Sequence, residues 1–185
     1  MDSADSAWLV AQCLAGNDSA IEAFIRQYEA DVFRLALSIV DDTAEATEIA
    51  QETFIAALKA LRQYEERRSL KAWVYVIALN ICRSHLRKKN FLDRLKASAQ
   101  NLLKLEQQKQ PSLEERVVQN EREAALWNEL NQLDERHRLV VILRYFHELP
   151  IAEIAEILSI QEGTVHSRLH TARERLRLAL THHGD

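Results

Sequence analysis

The sequence contains few of the residues that break helices and form tight turns. Its 185 residues include only three glycines and two prolines, whereas a sheet protein needs many such residues to turn between its strands. Hydrophobic residues make up 47% of the chain, which is enough to form a core. These features predict an all-α protein whose length accommodates one domain or two small ones.

Cysteine and long hydrophobic runs are also scarce. Cys13 and Cys82 are isolated from each other in the sequence, so neither a disulfide framework nor a cysteine zinc site is expected. No apolar run approaches the roughly 18 residues that a membrane-spanning helix needs, and no signal peptide opens the chain. We therefore expect a cytoplasmic protein with no membrane insertion.

The charges are segregated along the chain, although the total is only −4. Residues 1–66 carry a net charge of −9 and residues 97–162 a net charge of −5. In contrast, residues 67–96 carry +8 and residues 163–185 carry +2. Two basic stretches in an acidic protein predict two surfaces that face phosphates, and a partner other than DNA for the acidic remainder.

The stretch 149–180 has the pattern of two helices joined by a tight turn. Apolar residues recur at helical spacing on both sides of a break at Ser159 and Ile160. They are Ile151, Ile154, Ala155 and Leu158 in the first helix, and Val165, Leu169, Ala172, Leu176 and Ala179 in the second. This spacing is typical of a helix-turn-helix, whose second helix enters the DNA major groove. The alternative is a plain helical hairpin with a solvated polar face.

The second of these helices carries polar side chains opposite its apolar residues. The residues that we expect to contact DNA are Thr164, His166, Ser167, Arg168, Thr171 and Arg173. His166 and His170 have the i, i+4 spacing of some metal sites. Because both flank the face expected to meet DNA, we predict no metal ion there, and no other cofactor for the chain.

The basic stretch 67–96 contains a predicted helix over residues 70–89 that also carries aromatic side chains. Its polar row consists of Asn80, Arg83 and Arg87. Aromatic rings next to Arg and Lys are what a platform for single-stranded DNA requires, because every base has a face that can stack. Spacing places Trp73 at least partly in the core, so Tyr64 and Tyr75 are the better candidates for contact with bases.

Residues 91–112 are predicted to form a linker between two small helical domains, partly helical when bound and flexible otherwise. The segment is polar and rich in Gln towards its end, and Pro111 stops any helix within it. The predicted domains are residues 1–90 and 113–185. The second is expected to begin with a helix that is capped by Ser112 and runs to about Leu133.

Three segments resemble, in order and spacing, those of bacterial sigma factors of the extracytoplasmic-function type. They are AEATEIAQETFIAALKAL, SLKAWVYVIALNICRSHLRKK and LDERHRLVVILRYFHELPIAEIAEILSIQEGTVHSRLHTARERL. The resemblance extends over nearly the whole chain. The resemblance implies a promoter-recognition subunit that binds core RNA polymerase and promoter DNA. It also implies an anti-sigma factor as an inhibitory partner.

The resemblance further implies a role for each surface. A helix capped by Asp42 would bind core polymerase through Glu45, Glu48, Gln51, Glu52 and Phe54. The loop 64–69 and the helix after it would recognise and melt the minus-ten element through Tyr64, Arg67, Arg68, Trp73, Tyr75, Asn80, Arg83, Arg87 and Lys88. The helix at 162–180 would read the minus-thirty-five element. Ser159 stands where the family usually has a turn glycine, which costs about 1 kcal/mol if the backbone there has a positive φ.

The residues support two other classes of function less well. A stand-alone helix-turn-helix regulator with an N-terminal ligand or dimerisation domain is the alternative interpretation, but the N-terminal part shows no obvious ligand-pocket residues and no dimer signature. A helical enzyme would need a convergent set of His, Cys and carboxylate side chains. We find no such set in the sequence and predict that the protein is not an enzyme.

Overall fold

The computed structural model of the chain describes residues 3–65, 69–103 and 121–182. Within these ranges the chain is helical and contains no β-strand, which confirms the all-α prediction. The helices are α1 (Ser3–Leu14), α2 (Asp18–Val40), α3 (Thr43–Ala60), α4 (Leu70–Leu103), α5 (Glu121–Gln132), α6 (Glu135–Val141), α7 (Ile151–Leu158) and α8 (Glu162–His182). A 3₁₀ turn, Leu61–Gln63, follows α3, and a π-helical segment, Ile142–Phe146, follows α6. No helix among the described residues is both long enough and apolar enough to cross a membrane.

The first four helices form one packed group in which side chains cap the helix starts. Asn17 accepts a hydrogen bond from the Ala20 N–H at the start of α2. Asp42, the predicted cap of α3, accepts one from the Glu45 N–H at 2.8 Å. Each of these bonds satisfies a backbone donor that the helix itself leaves unpaired.

An aromatic cluster joins α2 to α3 in the core of this group. The ring of Phe24 meets Tyr28 edge-on at 5.6 Å and Phe54 of α3 edge-on at 6.0 Å between centroids. Edge-to-face pairs at these distances add to the free energy gained from burying the rings. The two helices are thereby held with the outer face of α3 turned to solvent.

Helix α4 is longer than the sequence pattern predicted. It continues past Lys89 to Leu103, thirteen residues into the segment 91–112 that was expected to be a linker. The reason is that residues 70–103 contain neither Gly nor Pro, so nothing in the backbone stops the helix before Pro111. The remainder of the expected linker and the first residues of the helix expected after Ser112 lie outside the described residues.

The second group of helices is organised around Asp134, which caps α6. Its carboxylate accepts hydrogen bonds from the backbone N–H and the ring Nδ1 of His137, and from Arg175 of α8 at 3.1 Å. Desolvation raises the pKa of Asp134, but the bonds from His137 and Arg175 outweigh it and lower the pKa to about 2. One side chain therefore both starts α6 and ties it to α8.

Helices α7 and α8 form the expected helix-turn-helix. The apolar residues Val165, Leu169 and Ala172 of α8 are buried, as predicted, as are Ile154 and Ala155 of α7, and the two helices pack against each other. Helix α7 ends at Ser159, whose backbone is left-handed with φ of +54° and whose N–H bonds the carbonyl oxygens of Ala155 and Glu156. The turn thus has the positive φ that a glycine would adopt without strain.

Replacing Ser159 with glycine should stabilise the C-terminal helices. A left-handed conformation costs a non-glycine residue about 1–2 kcal/mol, and the greater freedom of glycine in the unfolded chain returns part of the gain. We expect Ser159→Gly to raise the free energy of unfolding by about 0.5–1 kcal/mol, measured by thermal and urea unfolding. Ser159→Ala, which keeps the Cβ and hence the strain, is the control. An equal gain from alanine would contradict the explanation.

Candidate nucleic-acid interface

The outer face of α3 is acidic, but only part of it is free. Glu45 pairs with His85 at 3.5 Å and with Lys89 at 3.3 Å, both on α4. Glu52 pairs with the other nitrogen of His85 at 3.2 Å. Among the described residues, Glu48 has no such ion pair, and its side chain is exposed. Glu48 is therefore the carboxylate of this face that is most open to a partner.

The α3 surface also exposes an apolar residue, Ile55, which was not among the predicted contact residues. Phe54, which was expected to bind polymerase, is only 6% exposed because it packs against Phe24, so its assignment to a contact surface is wrong. The neighbouring Ile55 is 54% exposed and lies one or two helical turns from Gln51 and Glu48. An isoleucine outside the apolar stripe of an amphipathic helix was the sequence signal for this position. Glu48, Gln51 and Ile55 are called the α3 patch below.

The basic side chains of α4 are exposed along its middle part. Asn80, Arg87 and Lys88 face solvent. Trp73 is half-buried, and its ring meets Tyr64 edge-on at 5.6 Å, so these two aromatics support each other at the start of the helix. Arg67 and Arg68 lie outside the described residues. Helix α4 thus carries the exposed basic row, and at its start Trp73 packs against Tyr64 of the preceding loop.

Tyr75, which was expected to contact bases, is placed in the core by the structure. Its side chain is 0% exposed, and its hydroxyl makes a 2.9 Å hydrogen bond with Nδ1 of His147, which follows the π-helical segment. The two rings also meet edge-on at 5.4 Å. Tyr75 is buried because α4 packs on two sides, against α2 and α3 and also against α7. A single apolar stripe in the sequence could not show the second buried side.

On α8, the expected DNA-contacting residues differ in exposure. His166, Ser167 and Arg173 are exposed, whereas Thr164, Arg168 and Thr171 are half-buried. The solvent-facing side of the second helix of the helix-turn-helix is therefore centred on Ser167, and it contains His170 as well. This side is free to approach a DNA groove, while Arg168 is turned away from it.

Arg168 and Arg83 line the same cleft between the two groups of helices. Arg83 of α4 also makes a 2.8 Å ion pair with Glu135 of α6. The cleft has a volume of about 340 Å³. Its lining residues are Arg83, Asp134, Glu135, Arg136, Leu139, Leu158 and Arg168. One residue expected to act on the minus-ten element and one expected to read the minus-thirty-five element thus face each other.

The two halves of the chain match two regions of one protein class. Residues 24–91 match the family described as Sigma-70 region 2, and residues 123–176 match Sigma-70, region 4. The helical group with the basic α4 and the group with the helix-turn-helix are therefore the two conserved regions of a sigma factor, in the order in which they occur in that class.

Individual relatives define the subclass. The chain is 31% identical to the ECF RNA polymerase sigma factor SigW of Bacillus subtilis, over 92% of this chain and 94% of the relative. It is 30% identical to the RNA polymerase sigma-H factor of Pseudomonas aeruginosa, over 93% of this chain and 92% of the relative. The chain belongs to the extracytoplasmic-function sigma factors and is a promoter-recognition subunit of RNA polymerase.

Solved structures share the fold at lower sequence identity. CnrH, solved in complex with the cytosolic domain of CnrY, has a TM-score of 0.68 at 22% identity and covers 94% of this chain and 95% of its own. The sigma factor RpoE, solved with the anti-sigma factor NepR from Bartonella quintana, has a TM-score of 0.64 at 21% identity, over 86% of this chain and 96% of its own. Both share the fold of this chain.

The contact between Tyr75 and His147 should make stability depend on pH. Burial lowers the pKa of His147 to about 4, against the opposing effect of Asp31, while Lys71 and Arg34 lower it further. Between pH 6.5 and 4 the unfolded chain therefore binds a proton that the folded chain does not. The contribution of this group, about 3 kcal/mol at most, is complete above pH 6.5 and is lost as the pH falls towards 4.

We expect the midpoint of thermal unfolding to fall more steeply between pH 7 and pH 5 in the natural protein than in a His147→Gln variant. Glutamine cannot take up the proton, so the difference between the two curves isolates this histidine from the other titrating groups. His166→Gln, at an exposed position, is the control and should keep the natural slope. Parallel curves for the natural protein and His147→Gln would contradict the assignment.

Proposed function

We propose that the α3 patch binds core RNA polymerase, that the exposed row on α4 acts on the minus-ten element, and that the exposed side of α8 reads the minus-thirty-five element. The observation that carries this proposal is the separation of exposed charge. Negative charge is free on α3, at Glu48, whereas exposed positive charge lies on α4 and α8. A negative patch with an apolar member suits a basic protein surface, and positive rows suit phosphates.

The proposed division of the chain follows the same surfaces. Residues 1–90 would form the part that binds polymerase and melts DNA, and residues 113–185 the part that reads the upstream element. The protein would act by binding alone, with no catalysis of its own. The stand-alone regulator is not favoured, because the chain matches both sigma-factor regions in order.

An anti-sigma factor is the proposed inhibitory partner. The structures of RpoE with NepR and of CnrH with the cytosolic domain of CnrY show that relatives of the same fold form complexes with other proteins. The surfaces proposed here for polymerase and DNA are those that such a partner would have to cover to prevent transcription.

The α3 patch can be tested without disturbing the fold, because its residues are exposed. Glu48→Lys should weaken binding to purified core polymerase by about tenfold or more by reversing a charge that faces a basic surface. Ile55→Ala should weaken it by a similar factor through lost apolar contact. Affinity would be measured with a fluorescently labelled chain, and helix content by circular dichroism.

A matched control for charge reversal is Glu29→Lys, at an exposed position of α2 outside the patch. It should leave polymerase affinity within about twofold of the natural value, because a single exposed charge far from an interface is screened by salt. If Glu48→Lys and Ile55→Ala bind polymerase as well as Glu29→Lys does, the α3 patch is not the contact surface.

Substitutions in the two proposed DNA-binding surfaces should impair different steps of transcription initiation. Arg173→Ala should weaken binding of the holoenzyme to duplex promoter DNA, because it removes a positive side chain from the exposed part of α8. Asn80→Ala should leave duplex binding nearly intact and impair strand opening, since α4 would act on unpaired bases. Both positions are exposed, so thermal unfolding should be unchanged.

Duplex and pre-melted promoter templates separate these steps. A template that is already open should restore transcription by Asn80→Ala but not by Arg173→Ala, measured as run-off product with purified core polymerase. Equal losses for the two variants on both templates would refute the assignment of separate steps to α4 and α8.

A further inference from the structure

We propose that Glu52 is a second carboxylate of the polymerase contact, and that His85 of α4 is the positioning residue that holds or releases it. The inference rests on the function proposed above for the α3 patch and adds a regulation of that same surface. Protonated His85 holds Glu52 away from a basic partner, and neutral His85 leaves it free to pair with one. Binding to polymerase should therefore weaken as the pH falls.

His85 lies between two carboxylates of the neighbouring helix. Its Nε2 is 3.2 Å from a carboxylate oxygen of Glu52, and its Nδ1 is 3.5 Å from a carboxylate oxygen of Glu45. Glu45 and Glu52 lie about two turns apart on the same side of α3, at about 3.6 residues per turn. One imidazole ring of α4 thus joins two successive acidic positions of α3.

The two contacts cannot both be favourable when the ring is neutral. A neutral imidazole carries a hydrogen on one nitrogen only, whereas the imidazolium donates from both nitrogens. In the neutral form, one ring nitrogen therefore presents a lone pair to a carboxylate oxygen, and that contact is repulsive. The surroundings of His85 suit the charged ring, so the loss of its proton must release one of the two carboxylates.

Glu52 is the carboxylate that we expect to be released. Glu45 keeps a second cation, because Nζ of Lys89 lies 3.3 Å from its other oxygen, and its side chain is only 18% exposed. The side chain of Glu52 is 48% exposed, and among the described residues its ion-pair partner is His85 alone. Deprotonation of His85 thus leaves Glu45 paired and leaves Glu52 free in solvent.

Glu52 adjoins the α3 patch. It follows Glu48 by four residues, and side chains four residues apart on a helix are neighbours. A released Glu52 therefore adds a second negative charge next to Glu48 for a basic surface to meet. When His85 is protonated, its positive charge already compensates Glu52 and competes with the cations of the partner.

The charged groups around His85 come from two helices. Within the part of the chain that the structure describes, Glu45 and Glu52 of α3 face the ring, and α4 itself contributes Lys89, which pairs with Glu45. Helices α2 and α7 also pack against α4, but neither supplies a described ion pair to His85. Histidine changes its charge between about pH 5 and 8, whereas carboxylic acids and lysine amines ordinarily titrate outside that range. His85 is therefore the group of this cluster that responds to pH near neutrality.

Polymerase binding and proton binding at His85 are linked. A polymerase cation that pairs with Glu52 favours the neutral ring, so formation of the complex releases the proton of His85 to solvent. A partner whose binding releases a proton binds more weakly as the pH falls. One proton limits this effect to about tenfold in affinity per pH unit.

The test is the pH dependence of affinity for purified core polymerase. The fluorescently labelled natural chain and a His85→Gln variant are titrated with polymerase between about pH 8 and pH 6 at constant ionic strength. Glutamine stays uncharged, and the ratio of the two affinities at each pH cancels the titration of the polymerase itself. The natural chain should bind as tightly as His85→Gln at pH 8 and at least about threefold more weakly at pH 6.

Two further variants imitate the two states. His85→Lys stays positively charged, so at about pH 8 it should bind as weakly as the natural chain does at about pH 6. Glu52→Gln removes the released carboxylate, so it should bind weakly at both pH values, with a constant ratio to His85→Gln. Because Glu52 is half-exposed, this variant still tests the proposal if substitution of His85, which is only 18% exposed, unfolds the chain.

The matched control is Arg26→Gln on α2. It removes a base that pairs with a carboxylate, Glu22, outside the α3 surface, and it should bind polymerase like the natural chain at every pH. If His85 only joins α3 to α4, His85→Gln will lower the midpoint of thermal unfolding while its affinity curve stays parallel to the natural one. Parallel curves, or tighter binding of the natural chain at lower pH, would overturn the proposal.

Failure of the proposed function gives a different result. In that case Glu48→Lys would bind polymerase as tightly as the natural chain at every pH. Weaker binding by Glu48→Lys, together with a ratio of natural to His85→Gln affinity that does not change with pH, would overturn the role of His85 and leave the α3 patch standing as the contact surface.

Discussion

The burial of α4 on two sides is the constraint on which the rest of the structure depends. One side packs against α2 and α3 and completes the N-terminal core. The other side packs against α7 and places Tyr75 against His147. Because a single rigid helix serves both contacts, its remaining surface decides where the basic side chains can lie. The exposed basic row of α4 lies on the part of the helix surface that neither packed side covers.

Local signals in the sequence were sufficient for the helix starts and the helix-turn-helix. The Asp42 cap, the break at Ser159 and the buried positions of α8 follow from interactions between residues a few positions apart. Such signals predict local structure whatever the rest of the fold is, because the donor and the acceptor, or the apolar residues of one face, lie on the same segment of chain. The spacing of apolar residues in α8 therefore predicted its core side correctly.

Positions that depend on distant partners could not be predicted. His147 bonds a tyrosine 72 residues earlier in the chain, and no pattern near either residue indicates the other. Helical periodicity predicted about half of the candidate site, namely its exposed polar residues. It did not predict the contacts between the two groups of helices.

The continuation of α4 to Leu103 affects how far apart the two halves can stand. Its turns from Arg87 to Leu92 are exposed, so they are stabilised by their own backbone hydrogen bonds rather than by packing. A helix rises about 1.5 Å per residue, and an extended chain about 3.3 Å. Unwinding the thirteen residues from 91 to 103 would therefore lengthen the connection by about 23 Å. Unwinding the end of α4 would therefore increase the distance that the connection can span, so that the two halves can reach two separated sites on a long, rigid template.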